Sequence, residues 1–195
     1  IVTAKVSRVD PETRDAVVEI GKTQETLFRS EQIPNETLVP GMLVKVYIAG
    51  VADGKDDRRG PRATISRTHP GLVKRLFESE VPEIYDGTVE IKSVSREAGS
   101  RTKVAVYSAD PNVDAVGACI GPRGSRVGKI VDMLYGEKID IVKYSEDPAE
   151  FIAASLAPAD VISVTVDANG EKSCRVIVPD IQLSLAIGNK GQNAR

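Results

Sequence analysis

A short glycine motif occurs twice in this chain of 195 residues, and its repetition constrains the fold more than any other feature. The segment 119–126, CIGPRGSR, aligns with the segment 186–193, AIGNKGQN, which lies 67 positions later. An isoleucine and two glycines match, and the residue before the second glycine is basic in both copies, Arg123 and Lys190. The upstream strings KVAV and RVIV also match. The chain is therefore predicted to contain two copies of one structural unit.

Each copy has the same predicted order of elements: helix, strand, strand, helix, GxxG loop, helix. In the first copy, Leu72, Val73, Leu76 and Phe77 have the spacing of a short amphipathic helix. The elements that follow it are strands at 88–91 and 102–106, helices at 114–120 and 125–135, and a strand at 138–142. The second copy has helices at 148–157 and 181–187 and strands at 161–166 and 174–178, with a tight hairpin at 168–170. Because this copy reaches Arg195 inside its last helix, we expect the natural protein to continue.

The repeated loop has the chemistry of a phosphate-binding site. Two glycines without Cβ atoms let a sugar-phosphate backbone approach closely. The helix that follows presents unpaired N–H groups and a positive dipole end to an anion. The basic loop residue adds a charge-assisted contact. This combination is typical of a KH domain, whose GxxG loop clamps about four single-stranded nucleotides.

The predicted RNA-binding site comprises both loops and their flanks. Ile120 and Ile187 are predicted to support bases, and Ile139 and Ile141 to form the opposite wall of the first groove. A single GxxG could be a turn or a helix cap, but two copies in one context favour binding. P-loop spacing is not met, and no G-x-G-x-x-G occurs. The predicted site residues are Ile120, Gly121, Pro122, Arg123, Gly124, Ser125, Arg126, Ile187, Gly188, Asn189, Lys190, Gly191, Gln192 and Asn193.

The first 66 residues lack helical periodicity and are predicted to form five short strands, with a hairpin tip at 53–57. This pattern favours a small closed barrel such as an OB-fold, although a β-meander or an SH3-like barrel fits equally well. Phe28 and Tyr47 are candidates for stacking on bases, with core packing as the favoured alternative.

The charge balance excludes a protein that is coated in positive charge. The chain has 26 basic and 28 acidic residues and a net charge of −2, so nucleic acid would have to bind at local patches. One candidate patch contains Arg58, Arg59, Arg62 and Arg67, and another contains Arg123, Arg126 and Lys129. The alternative for each cluster is a solvated surface.

Catalytic and metal-binding patterns are not found. The single histidine, His69, precedes Pro70 at a module junction, where it is expected to begin a helix, and the acids Asp56, Asp57, Glu146 and Asp147 are expected on solvated turns. Two cysteines are too few for a disulfide scaffold or a cysteine-rich zinc site, and both are expected to be semi-buried thiols. No apolar run approaches the ~18 residues of a membrane span. We therefore predict no enzyme activity and no cofactor.

The order barrel, KH, KH, together with several strings, resembles the NusA family of bacterial transcription elongation and termination factors. The strings are VPEI at 81–84, GSRTKVAV at 99–106, VGACIG at 116–121, APADV at 157–161 and AIGNKGQN at 186–193. The resemblance implies an α+β multidomain chain. An S1-type OB-fold domain would occupy 1–67, and two tandem prokaryotic-type KH domains would occupy 68–145 and 146–195, the second C-terminally truncated. The family's N-terminal, polymerase-binding domain is not in this sequence.

The same resemblance implies a function. Such proteins bind nascent single-stranded RNA, including ribosomal RNA leaders, and modulate pausing, termination and antitermination. The implied partners are RNA polymerase and other antitermination factors, in the cytoplasm, without a membrane and with the chain as a monomer. Two alternatives stay open. One is an RNA-binding appendage of an RNA-degrading enzyme, although in exoribonucleases the KH domain precedes the barrel. The other is a protein-interaction scaffold that has lost RNA binding.

Overall fold

The computed structural model of the chain describes residues 1–52, 62–167 and 173–194. The predicted hairpin tip at 53–57, Arg58 and Arg59, and the turn at 168–170 lie outside the described residues. In chain order the elements are β1 Val2–Val9, β2 Ala16–Ile20, β3 Thr23–Leu27, β4 Leu43–Ala52, β5 Arg62–Ser66, α1 Pro70–Glu80, α2 Pro82–Tyr85, β6 Glu90–Glu97, β7 Arg101–Tyr107, α3 Ala115–Ile120, α4 Ser125–Met133, β8 Lys138–Lys143, α5 Pro148–Ser155, β9 Ser163–Val166, β10 Cys174–Ile177 and α6 Leu183–Ile187.

The first five strands form a nearly closed barrel. Their order in the sheet is β3-β2-β1-β4-β5, with every pair antiparallel. The backbone N–H of Ala63 on β5 donates to the Glu25 carboxylate on β3 at 3.2 Å, which links the two ends of the sheet. Because β4 pairs with β1 instead of β3, a simple meander is excluded. The order agrees with the S1/OB fold. Alternate residues of the strands fill the core, among them Ala4, Val6, Val18, Val44 and Val46.

The next unit packs helices on one face of a three-stranded sheet. Helix α1 begins at Pro70, where the His69 ring nitrogen Nδ1 accepts from the Gly71 N–H at 2.9 Å. The four predicted apolar positions of α1 are all buried. Strands β6 and β7 are antiparallel, whereas β7 and β8 are parallel. A parallel pair needs a crossover connection, and α3, the GxxG loop and α4 provide it. This is a KH fold of the prokaryotic type, with the extra helix and strand at its front.

The last unit repeats the beginning of this plan. Helix α5 begins after Asp147, whose carboxylate caps the N–H groups of Ala149 and Glu150, and β9 pairs antiparallel with β10. Helix α6 leads to the second loop. The predicted helix after that loop is not formed in the described part of the chain, where Gln192 to Ala194 are turns. The apolar surface of this unit is correspondingly exposed, with Ile181 92% accessible.

The barrel and the first KH unit share a buried junction. Ile33, from the barrel, belongs to the core of the KH unit. Arg67 is 1% exposed, pairs with Glu36 at 2.8 Å and donates to the Met133 carbonyl of the KH unit at 3.2 Å. The prediction that Arg67 belongs to a surface or RNA-binding cluster is therefore wrong, because its guanidinium is buried and bonded within this junction.

The two aromatic candidates of the barrel are placed differently from each other. Phe28 is 55% exposed, so the favoured expectation of core packing is wrong for it. Tyr47 is partly buried, and its ring stacks on His69 with 4.6 Å between the ring centroids. One face of Tyr47 is therefore already covered by the junction.

Candidate nucleic-acid interface

The two GxxG loops have the same backbone conformation. Gly121 has φ 74° and ψ 172°, and Gly188 has φ 75° and ψ 173°. Arg123 and Lys190 both lie in the left-handed region, with φ 53° and ψ of 29° and 27°. Each loop forms one 3-10 turn, Pro122–Gly124 or Asn189–Gly191. Two sequences that share only a few residues therefore build one loop shape.

The two glycines of each loop have different roles. At Gly121 a Cβ would lie 2.6 Å from Cγ of Arg126, and at Gly188 it would lie 2.9 Å from Cγ of Asn193. The first glycine is thus needed on the inside of the loop. At Gly124 and Gly191 a Cβ would meet nothing within 4 Å. The second glycine leaves an open surface where another backbone can approach.

Arg126 and Asn193 occupy equivalent positions, and both fold back beneath the loop. Nη1 of Arg126 donates to the Ala118 carbonyl at 2.6 Å and pairs with Glu83 at 2.8 Å. Nδ2 of Asn193 donates to the Leu185 carbonyl at 3.1 Å. Both side chains brace the loop from inside, so their predicted contact with RNA stays a prediction. The sequence analysis predicted RNA contacts here and missed this structural role, although the repeat places Arg126 and Asn193 at equivalent positions.

The charge available near the first loop is concentrated on one side chain. Arg123 is exposed and makes no ion pair or side-chain hydrogen bond with any residue the structure describes. Arg126 is neutralised by Glu83, and Lys129 lies 3.6 Å from the carboxylate of Glu80. Of the predicted cluster, Arg123 is the one side chain with no acidic partner among the residues that the structure describes. Lys190, at the equivalent position of the second loop, is also exposed.

An exposed isoleucine precedes each loop, and the first KH unit also has an edge strand. Ile120 and Ile187, directly before the two loops, are 38% and 44% exposed. Strand β8 is an edge of its sheet as described, and Ile139 and Ile141 on it are partly buried against the core. An exposed isoleucine and an edge strand suit the flat faces and polar edges of bases, and the groove wall at Ile139 and Ile141 stays a prediction.

The two KH units are held against each other. Tyr144, between them, makes edge-to-face contacts with Tyr107 of the first unit at 6.2 Å and Phe151 of the second at 5.2 Å between ring centroids. The Ser100 hydroxyl lies 3.1 Å from Oε1 of Gln192, next to the second loop. A cleft of about 570 Å³ separates the apolar parts of the units. The second loop therefore lies against the first KH unit.

Other chemistry is not prominent in the part of the chain that the structure describes. No group of three His, Cys, Asp or Glu residues there could hold a metal ion. Cys119 is buried, and desolvation, with the Glu83 charge, raises the pKa of its thiol to about 12. Cys174 is exposed, so the expectation of a semi-buried thiol is wrong for it. No helix of the described residues is long and apolar enough to cross a membrane.

Comparison with known proteins agrees with this architecture. Residues 67–144 match the family described as the NusA-like first KH domain, and residues 148–195 match the NusA-like second KH domain. A protein of Halalkalibacterium halodurans named "Transcription termination/antitermination protein NusA" is 56% identical over the whole chain. The chain belongs to the NusA family.

Other NusA proteins show the same relation. Those of Bacillus subtilis and Thermus thermophilus are 55% and 46% identical over the whole chain and carry the same name. The chain covers 50% of the Halalkalibacterium protein, 51% of the Bacillus protein and 49% of the Thermus protein. It thus spans about half the length of the curated relatives it matches.

Proposed function

We propose that this chain is the RNA-binding region of a NusA-type transcription factor and that it captures single-stranded nascent RNA through both GxxG loops. The observation that carries the proposal is the pair of loops with one backbone conformation, in two KH units that contact each other. In this proposal the functional units are the barrel at 1–67 and the KH domains at 68–145 and 146–195. The chain binds RNA without catalysing a reaction.

The proposed mechanism follows from the loop geometry. A phosphate approaches the open side of Gly124 or Gly191, where no side chain intervenes. Arg123 or Lys190 adds a charge-assisted contact, and Ile120 or Ile187 supports the neighbouring base. Pro122, Ser125, Asn189 and Gln192 line the same loops as the remaining predicted contacts. Because the two sites are linked, one strand that engages both binds more tightly than either site allows alone.

The biological setting is taken from the relatives, which are named for transcription termination and antitermination. We propose that the chain acts with RNA polymerase and other antitermination factors in the cytoplasm, as a monomer, to modulate pausing, termination and antitermination. The names of these relatives favour that setting over an appendage of an RNA-degrading enzyme.

A titration with a labelled single-stranded RNA of about 12 nucleotides, long enough for two loops that each clamp about four, tests the proposal. The double substitution Pro122→Asp with Arg123→Asp places negative charge against the phosphate and is expected to weaken binding at least about tenfold. Lys74→Asp, on the exposed face of α1, is the control and should bind like the unsubstituted chain. Unchanged affinity of the loop variant, with an unchanged melting temperature, would overturn the assignment of the first loop.

A further inference from the structure

The outer face of the first KH sheet, opposite its helices, is divided into an apolar and a charged end. At the apolar end, Ala105 and Val142 are buried and line the cleft toward the second KH unit. At the charged end, the same strands carry Arg101, Lys103 and Asp140. Ile139 and Ile141 of β8 are on the opposite face, packed against the core.

The charged end lies beside the second GxxG loop. A cleft of about 300 Å³ is lined by Ser95, Arg96, Glu97, Arg101, Lys103 and Gln192. Five of these residues belong to the first KH unit, and Gln192 directly follows Gly191 of the second loop. The Ser100 hydroxyl of the first unit donates to Oε1 of Gln192 at 3.1 Å, so the second loop contacts the first unit here. A strand bound at the second loop therefore passes close to the first unit's sheet.

The two cations of this cleft share one carboxylate. Nε of Arg101 lies 2.6 Å from Asp140, and Nζ of Lys103 lies 3.2 Å from the same oxygen. Two positive charges against one negative charge leave a surplus of one. A guanidinium has five N–H donors and an ammonium three, so donors are left over beyond the bonds to Asp140.

The other charged residues around the cleft, Arg96 and Glu97, do not fully cancel this surplus positive charge. Arg96 is fully buried and neutralised by Glu137 at 2.9 Å. Glu97 is an exposed acid at the rim, where water screens it. Arg101 and Lys103 are only 22% and 16% exposed, so their charges are less screened than that of Glu97.

We propose that Arg101 and Lys103 form a phosphate subsite that extends the second GxxG loop, so that the second RNA site is built from both KH units. The ligand is an RNA phosphate adjacent to those held at 188–191. This inference rests on the proposed function. Asp140 positions the two cations and also limits their attraction for the strand.

Lys103→Ala tests the subsite in a titration with single-stranded RNA of about 12 nucleotides. We expect affinity to fall about fivefold, and the slope of log K against log salt to become shallower by about 0.7, the loss of one phosphate contact. Lys92→Ala is the matched control, since Lys92 lies on the same sheet at its apolar end, above Tyr107 and Tyr144. It should leave affinity and slope unchanged. Wild-type affinity of Lys103→Ala would overturn the subsite.

Asp140→Asn separates the subsite from a purely structural role for these residues. If Arg101 and Lys103 meet a phosphate, removing the competing carboxylate should tighten binding about threefold and steepen the salt slope. If the three residues only stabilise the sheet, the substitution should lower the melting temperature and weaken binding or leave it unchanged. Either of these affinity results contradicts the proposal. Lys103→Gln, which keeps a donor but no charge, should lose the same salt slope as Lys103→Ala, and retention of that slope would equally contradict the subsite.

Failure of the proposed function would look different. If the loops do not bind RNA, the unsubstituted chain and the Pro122→Asp, Arg123→Asp variant have the same low affinity. If only the subsite is wrong, the loop variant binds weakly while Lys103→Ala binds like the unsubstituted chain.

Discussion

At the scale of single residues, the loops depend on one glycine for their shape and on another for their access. Gly121 has φ 74° with ψ 172°, a region that only glycine adopts readily. Gly124, with φ 75° and ψ 16°, lies in the left-handed helical region, which costs another residue about 1–2 kcal/mol. The two positions should therefore respond differently to the same substitution.

Gly121→Ala is expected to destabilise the chain by about 1–3 kcal/mol through backbone strain, with the clash against Arg126 in addition. Gly124→Ala should cost about 1 kcal/mol of stability, but it places a methyl group on the open side of the loop and should weaken RNA binding. Denaturant unfolding and RNA titration of both variants measure the contrast. A Gly124→Ala variant that binds RNA normally would be inconsistent with the proposed phosphate approach.

The two cysteines should differ sharply in reactivity. A thiol reacts as the thiolate, and desolvation raises the pKa of Cys119 to about 12, so it stays protonated at neutral pH. Cys174 is exposed. A thiol-reactive reagent should modify Cys174 quickly in the native chain and Cys119 only on unfolding. Peptide mapping identifies which cysteine is modified first. Fast labelling of Cys119 would contradict its burial.

Some residue roles were predictable from the sequence and others were not. The exposed isoleucines and basic residues of the loops follow from the motif itself. The structural role of Arg126 was not predicted, because a basic residue beside a phosphate-binding loop is expected to contact the phosphate. Its partner Glu83 is 43 positions away, and only the fold brings the two together.

At the scale of elements, the spacing of apolar residues and the positions of turn-forming and helix-capping residues predicted most helices and strands close to their observed positions. The strands of the barrel alternate between core and surface, and α1 and α5 begin with a capping residue followed by proline. Long-range ion pairs leave no such pattern. Arg67 with Glu36 and Arg96 with Glu137 are 31 and 41 positions apart, and their burial could not be inferred from the composition of nearby residues.

The pair of Arg96 with Glu137 tests the burial of an ion pair inside the first KH unit. Both side chains are fully buried, and Arg96 also donates to the His69 carbonyl at 2.9 Å. Arg96→Ala leaves a buried carboxylate without its partner and is expected to cost about 3–5 kcal/mol of unfolding free energy. Arg75→Ala removes an exposed pair with Glu78 and should cost less than about 1 kcal/mol. Equal losses in the two variants would refute the burial of the pair of Arg96 with Glu137.

At the scale of the whole molecule, a net charge of −2 is compatible with RNA binding because the acids neutralise specific cations. Glu83 and Glu80 pair with cations of α4. The proposed phosphate contacts are Arg123, Lys190 and the two cations beside Asp140, Arg101 and Lys103. Four such contacts predict a slope of log K against log salt of about −3 for single strands. A slope steeper than about −6 would indicate bulk electrostatics instead.

The most direct test of two loops on one strand is a double-mutant cycle on a single RNA of about 12 nucleotides. One variant carries Pro122→Asp with Arg123→Asp, another carries Asn189→Asp with Lys190→Asp, and a third combines them. Each single-loop variant should lose the gain from linkage and bind about as weakly to the long RNA as to one of about four nucleotides. The combined variant should not bind measurably. Full affinity after loss of either loop would contradict the account.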